Sequence, residues 1–185
     1  MTIVKTANDF VAIAGNYQTH AIRWQLDAYQ QSLQEHVKKH SSCSLCHLSG
    51  EVEFFLIDGQ MPSQKSVESP ILVCQYCMKL KLFDQYTLDY QGKDRLIYLP
   101  QLTQAELHHF YHVCHQLQNE SGGQLKIKAI IAELQGLSLY LDELAGVPLS
   151  HPGGFVHFLH SASVDKEFLM NIRWLDGELL KSEFE

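Results

Sequence analysis

Four cysteines in two close pairs are the residues of this chain whose types and spacing could do chemistry. Cys43 and Cys46 form one pair and Cys74 and Cys77 the other, with 27 residues between the pairs. A tight turn can point both sulfurs of such a pair at one metal ion, at about 2.3 Å for zinc. Two pairs supply four ligands, which closes a tetrahedral site and leaves no open position. The spacing therefore predicts one structural zinc ion per chain, held by all four thiolates.

Two other states of these thiols stay open, namely two disulfides or four free cysteines. The N-terminus has no apolar segment followed by a small-residue cleavage site, so no signal peptide is expected. The chain contains no run of about 18 apolar residues, so no membrane span is expected. A chain without either is expected in the reducing cytoplasm, where disulfides are rare. The fifth cysteine, Cys114, has no Lys or Arg nearby in the sequence that would stabilise a thiolate, and it is predicted to be buried.

The composition is that of a globular protein with an acidic balance. The 185 residues are 45% hydrophobic, enough for one domain or for one domain with a modest appendage. Acidic residues outnumber Lys and Arg by 21 to 14, which gives a formal charge of −7. Because phosphate neutralisation carries much of the affinity for nucleic acid, this balance argues against a nucleic-acid partner.

The elements around the cysteines predict a treble-clef zinc module in an α+β fold. Apolar residues recur at steps of three and four over 21–39, which predicts an amphipathic helix leading to the first pair. Residues 51–57 read as a strand that ends in an Asp-Gly turn, and 62–70 as a loop. A short helix is expected from residue 76, starting on the second pair. The order of knuckle, strand, loop and helix is that of a treble clef.

The remainder of the chain is predicted to be helical. Thr103 and Glu106 form a capping-box pattern that starts a helix running to about residue 119. Further helices are predicted at 124–134, 138–144, 155–162 and 165–175, followed by a loose acidic tail. The expected division is an N-terminal arm at 1–19, the zinc module at 20–95, and a helical region at 96–185 packed on the module.

The segment Leu-Ile-Tyr-Leu-Pro-Gln-Leu-Thr-Gln-Ala-Glu-Leu at 96–107 closely resembles a motif of the IcmJ/DotN family. Proteins of this family belong to the Dot/Icm type IVB secretion system. The resemblance extends upstream through both cysteine pairs, the apolar strand and its Asp-Gly ending. It covers roughly residues 20–118, more than half of the chain.

The resemblance implies an HNH-like zinc core that has lost its catalytic histidines. It implies that Cys43, Cys46, Cys74 and Cys77 are the zinc ligands and that no catalytic residue is present. Family members are cytoplasmic subunits of the coupling complex, recruited to the inner membrane through the coupling ATPase. The implied partners are the C-terminal extension of a DotL-like ATPase and other coupling-complex subunits. The implied function is therefore that of a non-catalytic adaptor.

Two rival functions are an HNH-type metal-dependent nuclease and a zinc-bearing module that binds nucleic acid without cleaving it. An HNH centre needs a histidine to activate water and side chains to hold a divalent metal ion. No histidine occurs between His47 and His108, and the strand before the Asp-Gly turn offers only Asp58. One carboxylate cannot replace both a general base and a metal clamp, so the sequence predicts no nuclease activity.

A histidine cluster at 108–115 is the second constellation of metal-ligating residues. His108 and His112 are four positions apart on one helical face, and His115 is three beyond His112. These residues could bind a second metal ion, but no Glu stands between them as in an HExxH hydrolase site. The favoured interpretation is a partly exposed helix face. Its inward residues would be Leu107, Phe110, Tyr111, Cys114 and Leu117.

Three other residues have ordinary structural interpretations. His47 follows the first cysteine pair and is expected near the metal site or at the surface, since four thiols already complete the ligand set. Trp24 and Trp174 are each interpreted as core rather than interface residues.

Overall fold

The computed structural model describes Phe10 and residues 16–58, 70–88, 92–117, 123–161 and 166–177. The helices in this part of the chain are α1 (Asn16–Trp24), α2 (Asp27–Lys39), α3 (Gln75–Lys81), a 3-10 helix (Phe83–Leu88), α4 (Gln104–Leu117), α5 (Gly123–Ala145), α6 (Pro152–Ser161) and α7 (Lys166–Met170). The strands are β1 (Phe54–Ile57), β2 (Ile71–Cys74), β3 (Arg95–Tyr98) and β4 (Ile172–Leu175). This mixture of helices and small antiparallel sheets confirms the predicted α+β class.

The described residues divide into two compact units, one up to Gln85 and the other from Tyr86. The predicted N-terminal arm, the turn at residue 59, the loop at 62–70 and the C-terminal tail lie wholly or largely outside the described residues. The division at 1–19, 20–95 and 96–185 therefore stays a prediction. No helix among the described residues is long and apolar enough to cross a membrane.

The first unit is built on the antiparallel pair of β1 and β2. Phe54 lies opposite Cys74 and Ile57 lies opposite Ile71, so the hairpin ends where the second cysteine pair begins. The amide of Gln75 donates to the carbonyl oxygen of Glu53 at 2.9 Å, which joins the start of α3 to the start of β1. This hairpin and α3 together set the position of the second cysteine pair.

Two helices cover β1 where the sequence predicted one. The ring of Trp24, at the end of α1, packs on Phe55 with 5.0 Å between centroids, and Tyr29 in α2 accepts a hydrogen bond from the Leu56 amide at 2.9 Å. Residues five apart in a straight helix point about 140° away from each other. Both can contact the same strand because the backbone becomes extended at Leu26. The predicted helix at 21–39 is therefore broken at residues 25 and 26.

The second unit is built on the antiparallel pair of β3 and β4, with α5 packed on β3. Gln104, at the start of α4, binds the backbone of β4 through both amide atoms. Its Nε2 donates to the Trp174 carbonyl oxygen at 3.0 Å, and its Oε1 accepts from the Trp174 amide at 2.8 Å. The Tyr111 hydroxyl donates to the same carbonyl oxygen at 2.5 Å. These buried hydrogen bonds join residues more than 60 positions apart to one strand.

The capping box of α4 is confirmed. The Glu106 carboxylate accepts from the Thr103 amide at 2.7 Å, and the Thr103 hydroxyl accepts from the Glu106 amide at 3.2 Å. The Thr103 hydroxyl also donates to the Glu106 carboxylate at 2.8 Å, and the hydrogen bonds from the Thr103 amide and hydroxyl lower the pKa of Glu106. The helix begins where the sequence predicted.

Other predictions for the second unit were wrong in their element boundaries. The helix predicted at 165–175 is a short helix, α7, followed by β4, whose four residues are all buried. A short apolar run fits a buried strand as well as a helix, and pairing with β3 selects the strand. The helices predicted at 124–134 and 138–144 are one helix, α5, in which Gly136 is an interior position.

Candidate metal centre

The first cysteine pair lies in a tight knuckle closed by backbone hydrogen bonds. The Cys43 amide donates to the Leu48 carbonyl oxygen at 2.8 Å, and the His47 amide donates to the Cys43 carbonyl oxygen at 3.0 Å. An isolated bridge between Ser42 and Ser49 closes the knuckle. His47 turns the chain with a φ of 60°, a left-handed conformation that non-glycine residues rarely adopt. The turn buries both sulfurs and leaves the His47 side chain exposed.

The second pair is presented by a strand that runs directly into a helix. Cys74 is the last residue of β2, and Cys77 lies in the first turn of α3. The Ser44 amide donates to the Leu72 carbonyl oxygen at 2.8 Å, so the backbone of the first knuckle is fastened to β2. That hydrogen bond brings the two pairs together across 27 intervening residues.

The four sulfurs form a compact buried cluster. All four Sγ atoms lie within 4.8 Å of one another, and those of Cys46 and Cys74 are 3.6 Å apart. A tetrahedral zinc ion with Zn–S distances of about 2.3 Å requires sulfur–sulfur separations of about 3.8 Å. The donor set and its spacing therefore fit zinc. None of the five cysteines, all of which lie among the described residues, forms a disulfide in this structure.

Electrostatics in the cluster favour a cation at its centre. Contacts with the neighbouring sulfurs determine the pKa of the Cys43 thiol. The contact with Cys46 raises this pKa, whereas the contacts with Cys74 and Cys77 lower it, so that the pKa is about 6. Contacts with Cys43 and Cys46 raise the pKa of both Cys74 and Cys77. Ionising one thiol thus opposes ionisation of its neighbours. A bound divalent cation removes this conflict because it compensates the charges of several thiolates at once.

The backbone supports the charge on this cluster with one further contact. The Leu45 amide points at the Cys43 sulfur, with 3.5 Å between nitrogen and sulfur. Among the described residues, the four cysteines are the one group of three or more His, Cys, Asp or Glu side chains placed to share a metal ion. The arrangement can bind a metal ion and, with four protein ligands, offers no open coordination position for a substrate.

The end of β1 carries an ion pair that the sequence did not predict. Asp58 accepts from Arg23 Nη1 at 2.6 Å, which couples the strand end to α1. His20, one helical turn before Trp24, is buried nearby. Burial lowers the pKa of the His20 imidazole; the Asp58 carboxylate raises this pKa and the Arg23 guanidinium lowers it. Nothing in the sequence singles out His20, because its position depends on how α1 packs on β1. Its burial leaves the imidazole out of reach of solvent.

The histidine cluster on α4 is divided between the core and the surface. His108 is only 1% exposed and packs edge-to-face against Trp174 at 6.2 Å, so its predicted partial exposure was wrong. The other three histidines are half-buried or exposed; His112 Nε2 lies 3.1 Å from Gln116, and His115 Nε2 lies 3.7 Å from Asp176. His108 is buried because it packs against Trp174, so the buried face of α4 is broader than the sequence predicted.

Most of the other predicted side-chain positions agree with the structure. Leu107, Tyr111, Cys114 and Trp174 are fully buried, whereas Phe110, Leu117 and Trp24 are half-buried. Burial raises the pKa of the Cys114 thiol to about 11. The Cys114 thiol is therefore protonated at neutral pH and is unsuited to nucleophilic or metal chemistry.

Comparison with known proteins finds a significant similarity to a secretion protein. The chain is 23% identical over 169 residues to the type 4 apparatus protein DotN of Legionella pneumophila, covering 90% of this chain and 78% of that protein. No protein-family model matches the chain. The similarity confirms the resemblance to the IcmJ/DotN family that the sequence predicted, and it extends beyond the segment at 20–118.

Proposed function

We propose that this chain is a zinc-stabilised, non-catalytic adaptor subunit in the coupling complex of a type IVB secretion system. The observation that carries the proposal is similarity to DotN, a type 4 apparatus protein, over 90% of the chain. A similarity of this extent indicates a type IV secretion component. The buried four-cysteine cluster lies within the region that the family resemblance covers.

The zinc ion in this proposal is structural. Bound to Cys43, Cys46, Cys74 and Cys77, it would join a knuckle, a β-hairpin and the first turn of α3. That order of elements supports an HNH-like treble-clef core for the first unit. The unit has few buried residues in α1 and α2. Metal binding to a small domain of this kind supplies much of its folding free energy.

The absence of catalysis is proposed from the chemistry at the end of β1. In an HNH nuclease this place holds the residues that activate water and bind a catalytic metal ion. Here Asp58 is engaged by the Arg23 guanidinium at 2.6 Å, which opposes binding of a divalent cation. His20 is buried and is therefore a poor candidate for a general base. These contacts support an adaptor over a nuclease.

The proposed partner is the C-terminal extension of a DotL-like coupling ATPase, together with other subunits of the coupling complex. The chain would act in the cytoplasm and reach the inner membrane through that ATPase. Its role would be to help assemble the platform that recruits effector proteins. The acidic balance of the sequence, 21 acidic against 14 basic residues, favours a protein partner over nucleic acid.

Metal content and partner capture test the proposal together. We expect the purified protein to contain one zinc ion per chain and to enrich the coupling ATPase from its own host lysate, identified by mass spectrometry. Cys74→Ser should lose both zinc and ATPase capture because a structural zinc contributes about 10–16 kcal/mol at pH 7. Cys114→Ser is the matched control: it removes a buried cysteine outside the cluster and should keep both properties.

Three results would contradict the proposal in different parts. Unchanged zinc content and thermal stability in Cys74→Ser would contradict a structural role for the metal. Recovery of zinc without any secretion component would remove the adaptor role. Cleavage of plasmid DNA with magnesium or manganese, lost in Asp58→Ala, would establish the nuclease instead.

A further inference from the structure

The helix α5 is covered on one side and open on the other. Ile127, Ile131 and Leu141 are buried on the covered side. From residue 126 onward, the exposed positions follow one another at steps of three and four, such as 129, 132, 136 and 140, so they share the opposite side of the helix. We call the exposed positions 126, 128–130, 132, 133, 136, 139, 140, 143 and 144 the open face of α5.

The open face carries large apolar side chains that a solvated helix surface does not need. Four of them are between 42% and 68% exposed: Ile130, Leu139, Tyr140 and Leu144. The ring of Tyr140 packs against Tyr98, with 6.1 Å between centroids, so its position is fixed before any partner binds. A fixed aromatic ring among exposed aliphatic side chains is typical of surfaces that bind protein. The open face therefore points to a protein contact.

The charges of the open face are segregated along the helix. Lys126 and Lys128 lie near its start, and Glu143 lies in its last turn. Neither Lys128 nor Glu143 takes part in an ion pair among the described residues. One end of the face is therefore basic, the other end is acidic, and both charges are available to a partner.

This arrangement is complementary to a second copy of itself in the antiparallel orientation. Across a twofold axis, two positions of an antiparallel helix pair meet when they lie equally far on either side of the axis. The midpoint of Lys128 and Glu143 lies between residues 135 and 136, and so does the midpoint of Ala132 and Leu139. A single axis therefore brings Lys128 to Glu143 of the second copy. The same axis packs Leu139 against Ala132 of the second copy.

The residues around this axis allow the two helices to pack closely. Ile130 and Tyr140 are centred on residue 135, so each Tyr140 ring meets Ile130 of the second copy. Gly136 lies beside the axis, and a Cβ atom there would have no other atom within 4 Å. Packed helices lie about 8–10 Å apart, and no side chain at Gly136 holds the two backbones further apart. Glu133 lies opposite Leu137 of the second copy, so it meets no acidic group.

The same charges oppose a parallel pair of α5 helices. A parallel pair would place Lys128 beside Lys128 and Glu143 beside Glu143, and like charges placed together disfavour a complex. In the antiparallel pair, the basic end of each open face meets the acidic end of the other. The favourable pairing occurs twice because the dimer is symmetric.

We propose that the open face of α5 is a homodimer interface, in which α5 of a second copy packs antiparallel about a twofold axis between residues 135 and 136. Leu139 and Tyr140 are its apolar anchors, and the pairs between Lys128 and Glu143 set the register. The helix α5 lies wholly within the second unit, so that unit supplies the interface. The inference goes beyond the adaptor function and does not depend on it.

Sedimentation equilibrium of the full-length protein tests the proposal. The mass of the wild type should rise with concentration from 21.2 kDa to twice that value, because a contact made by one helix is small and dissociates on dilution. Leu139→Glu places a charge among the apolar anchors and should raise the dimer Kd by at least about tenfold.

A charge swap tests the antiparallel register. Lys128→Glu and Glu143→Lys should each raise the dimer Kd by about tenfold at low salt, since each change is made at both ends of the interface. The increase should be smaller at high salt because screening weakens the repulsion. The double variant Lys128→Glu/Glu143→Lys restores opposite charges and should return to within about twofold of the wild-type Kd.

Two matched controls make the same changes away from α5. Ile22 in α1 is 67% exposed and Leu139 is 68% exposed, so Ile22→Glu is the control for Leu139→Glu. Lys39→Glu, at the exposed end of α2, is the control for Lys128→Glu. Both controls should dimerise within about twofold of the wild-type Kd. Zinc content and circular dichroism of all variants should match the wild type, because the substituted side chains are exposed.

The contrary outcomes separate this inference from the adaptor function. A wild type that stays monomeric at high concentration would overturn the interface and leave the adaptor function intact. A dimer that persists in both Leu139→Glu and Lys128→Glu would overturn the assignment to α5. A double charge swap that dimerises as weakly as the single variants would overturn the antiparallel register.

Discussion

His20 is the residue whose surroundings give the clearest expectation for pH dependence. Burial lowers its pKa from 6.5; the Asp58 carboxylate partly offsets this, and the Arg23 guanidinium adds to it. The unfolded chain therefore binds a proton at this site at a higher pH than the folded protein does. By linkage, the stabilising effect of a neutral His20 is complete above pH 6.5 and is lost as the pH falls toward the folded pKa.

We predict that His20→Gln flattens this dependence. The free energy of unfolding of the wild type, measured in urea, should fall as the pH is lowered below 6.5, and the fall should be smaller in the variant. Equal slopes in the wild type and in His20→Gln would show that unfolding does not change the number of protons bound to His20.

The sequence predicts one part of the candidate site well and another part poorly. The spacing of Cys43, Cys46, Cys74 and Cys77 is a local property, and the structure brings these four residues together. The pairing of Arg23 with Asp58 spans 35 positions and depends on how α1 packs on β1. Nothing in either residue's neighbourhood encodes that contact. Local spacing thus predicts which cysteines come together, whereas tertiary packing decides which charges meet.

At the scale of elements, two glycines provide a matched pair for the packing of β4 and α5. A Cβ atom at Gly177, just after β4, would lie 2.5 Å from the Asp94 amide nitrogen. The Gly177 amide also donates to Asp94 Oδ1 at 2.6 Å, which holds the two segments close. At Gly136, inside α5, a Cβ atom would have no other atom within 4 Å.

We predict opposite effects for the two alanine substitutions. Gly177→Ala should lower the free energy of unfolding by about 1–3 kcal/mol, because backbone atoms must shift to admit the methyl group. Gly136→Ala should raise it by about 0.5–1 kcal/mol, because alanine restricts the unfolded chain and favours the helix. Chemical denaturation of both variants measures the difference. A stabilising effect of Gly177→Ala would show that the backbone around residues 94 and 177 can move apart to admit the methyl group without lowering the free energy of unfolding.

The same elements show where sequence patterns stop being informative. The capping box at Thr103 and Glu106 fixes the start of α4 locally, and the start was predicted correctly. The strand β4 was predicted as helix, because four apolar and basic residues carry no decisive periodicity. Its conformation is decided by β3, about 75 positions earlier, and by the two hydrogen bonds from Gln104.

At the scale of the whole molecule, the two units differ in their proposed dependence on a metal ion. The described part of the first unit contains the four-cysteine cluster, and α2 contributes no buried residue to its core. The second unit has an apolar core of its own around Trp174, Tyr111 and Phe155, each fully buried. Metal–ligand bonds substitute for core size in small domains. With zinc bound as proposed, the first unit should depend on the metal more than the second, although it also buries apolar residues such as Leu72, Tyr76 and Phe83.

We predict that a strong zinc chelator unfolds the first unit and leaves the second folded. Hydrogen exchange should accelerate in β1, β2 and α3, and protection should persist in β3, β4 and α4. The chain contains two tryptophans, Trp24 in the first unit and Trp174 in the second, so Trp24→Phe makes fluorescence a reporter of the second unit alone. In that variant, the fluorescence emission characteristic of a buried Trp174 should be unchanged after chelation. Loss of Trp174 emission together with exchange throughout the chain would instead show that the zinc site and the second unit unfold as one cooperative structure.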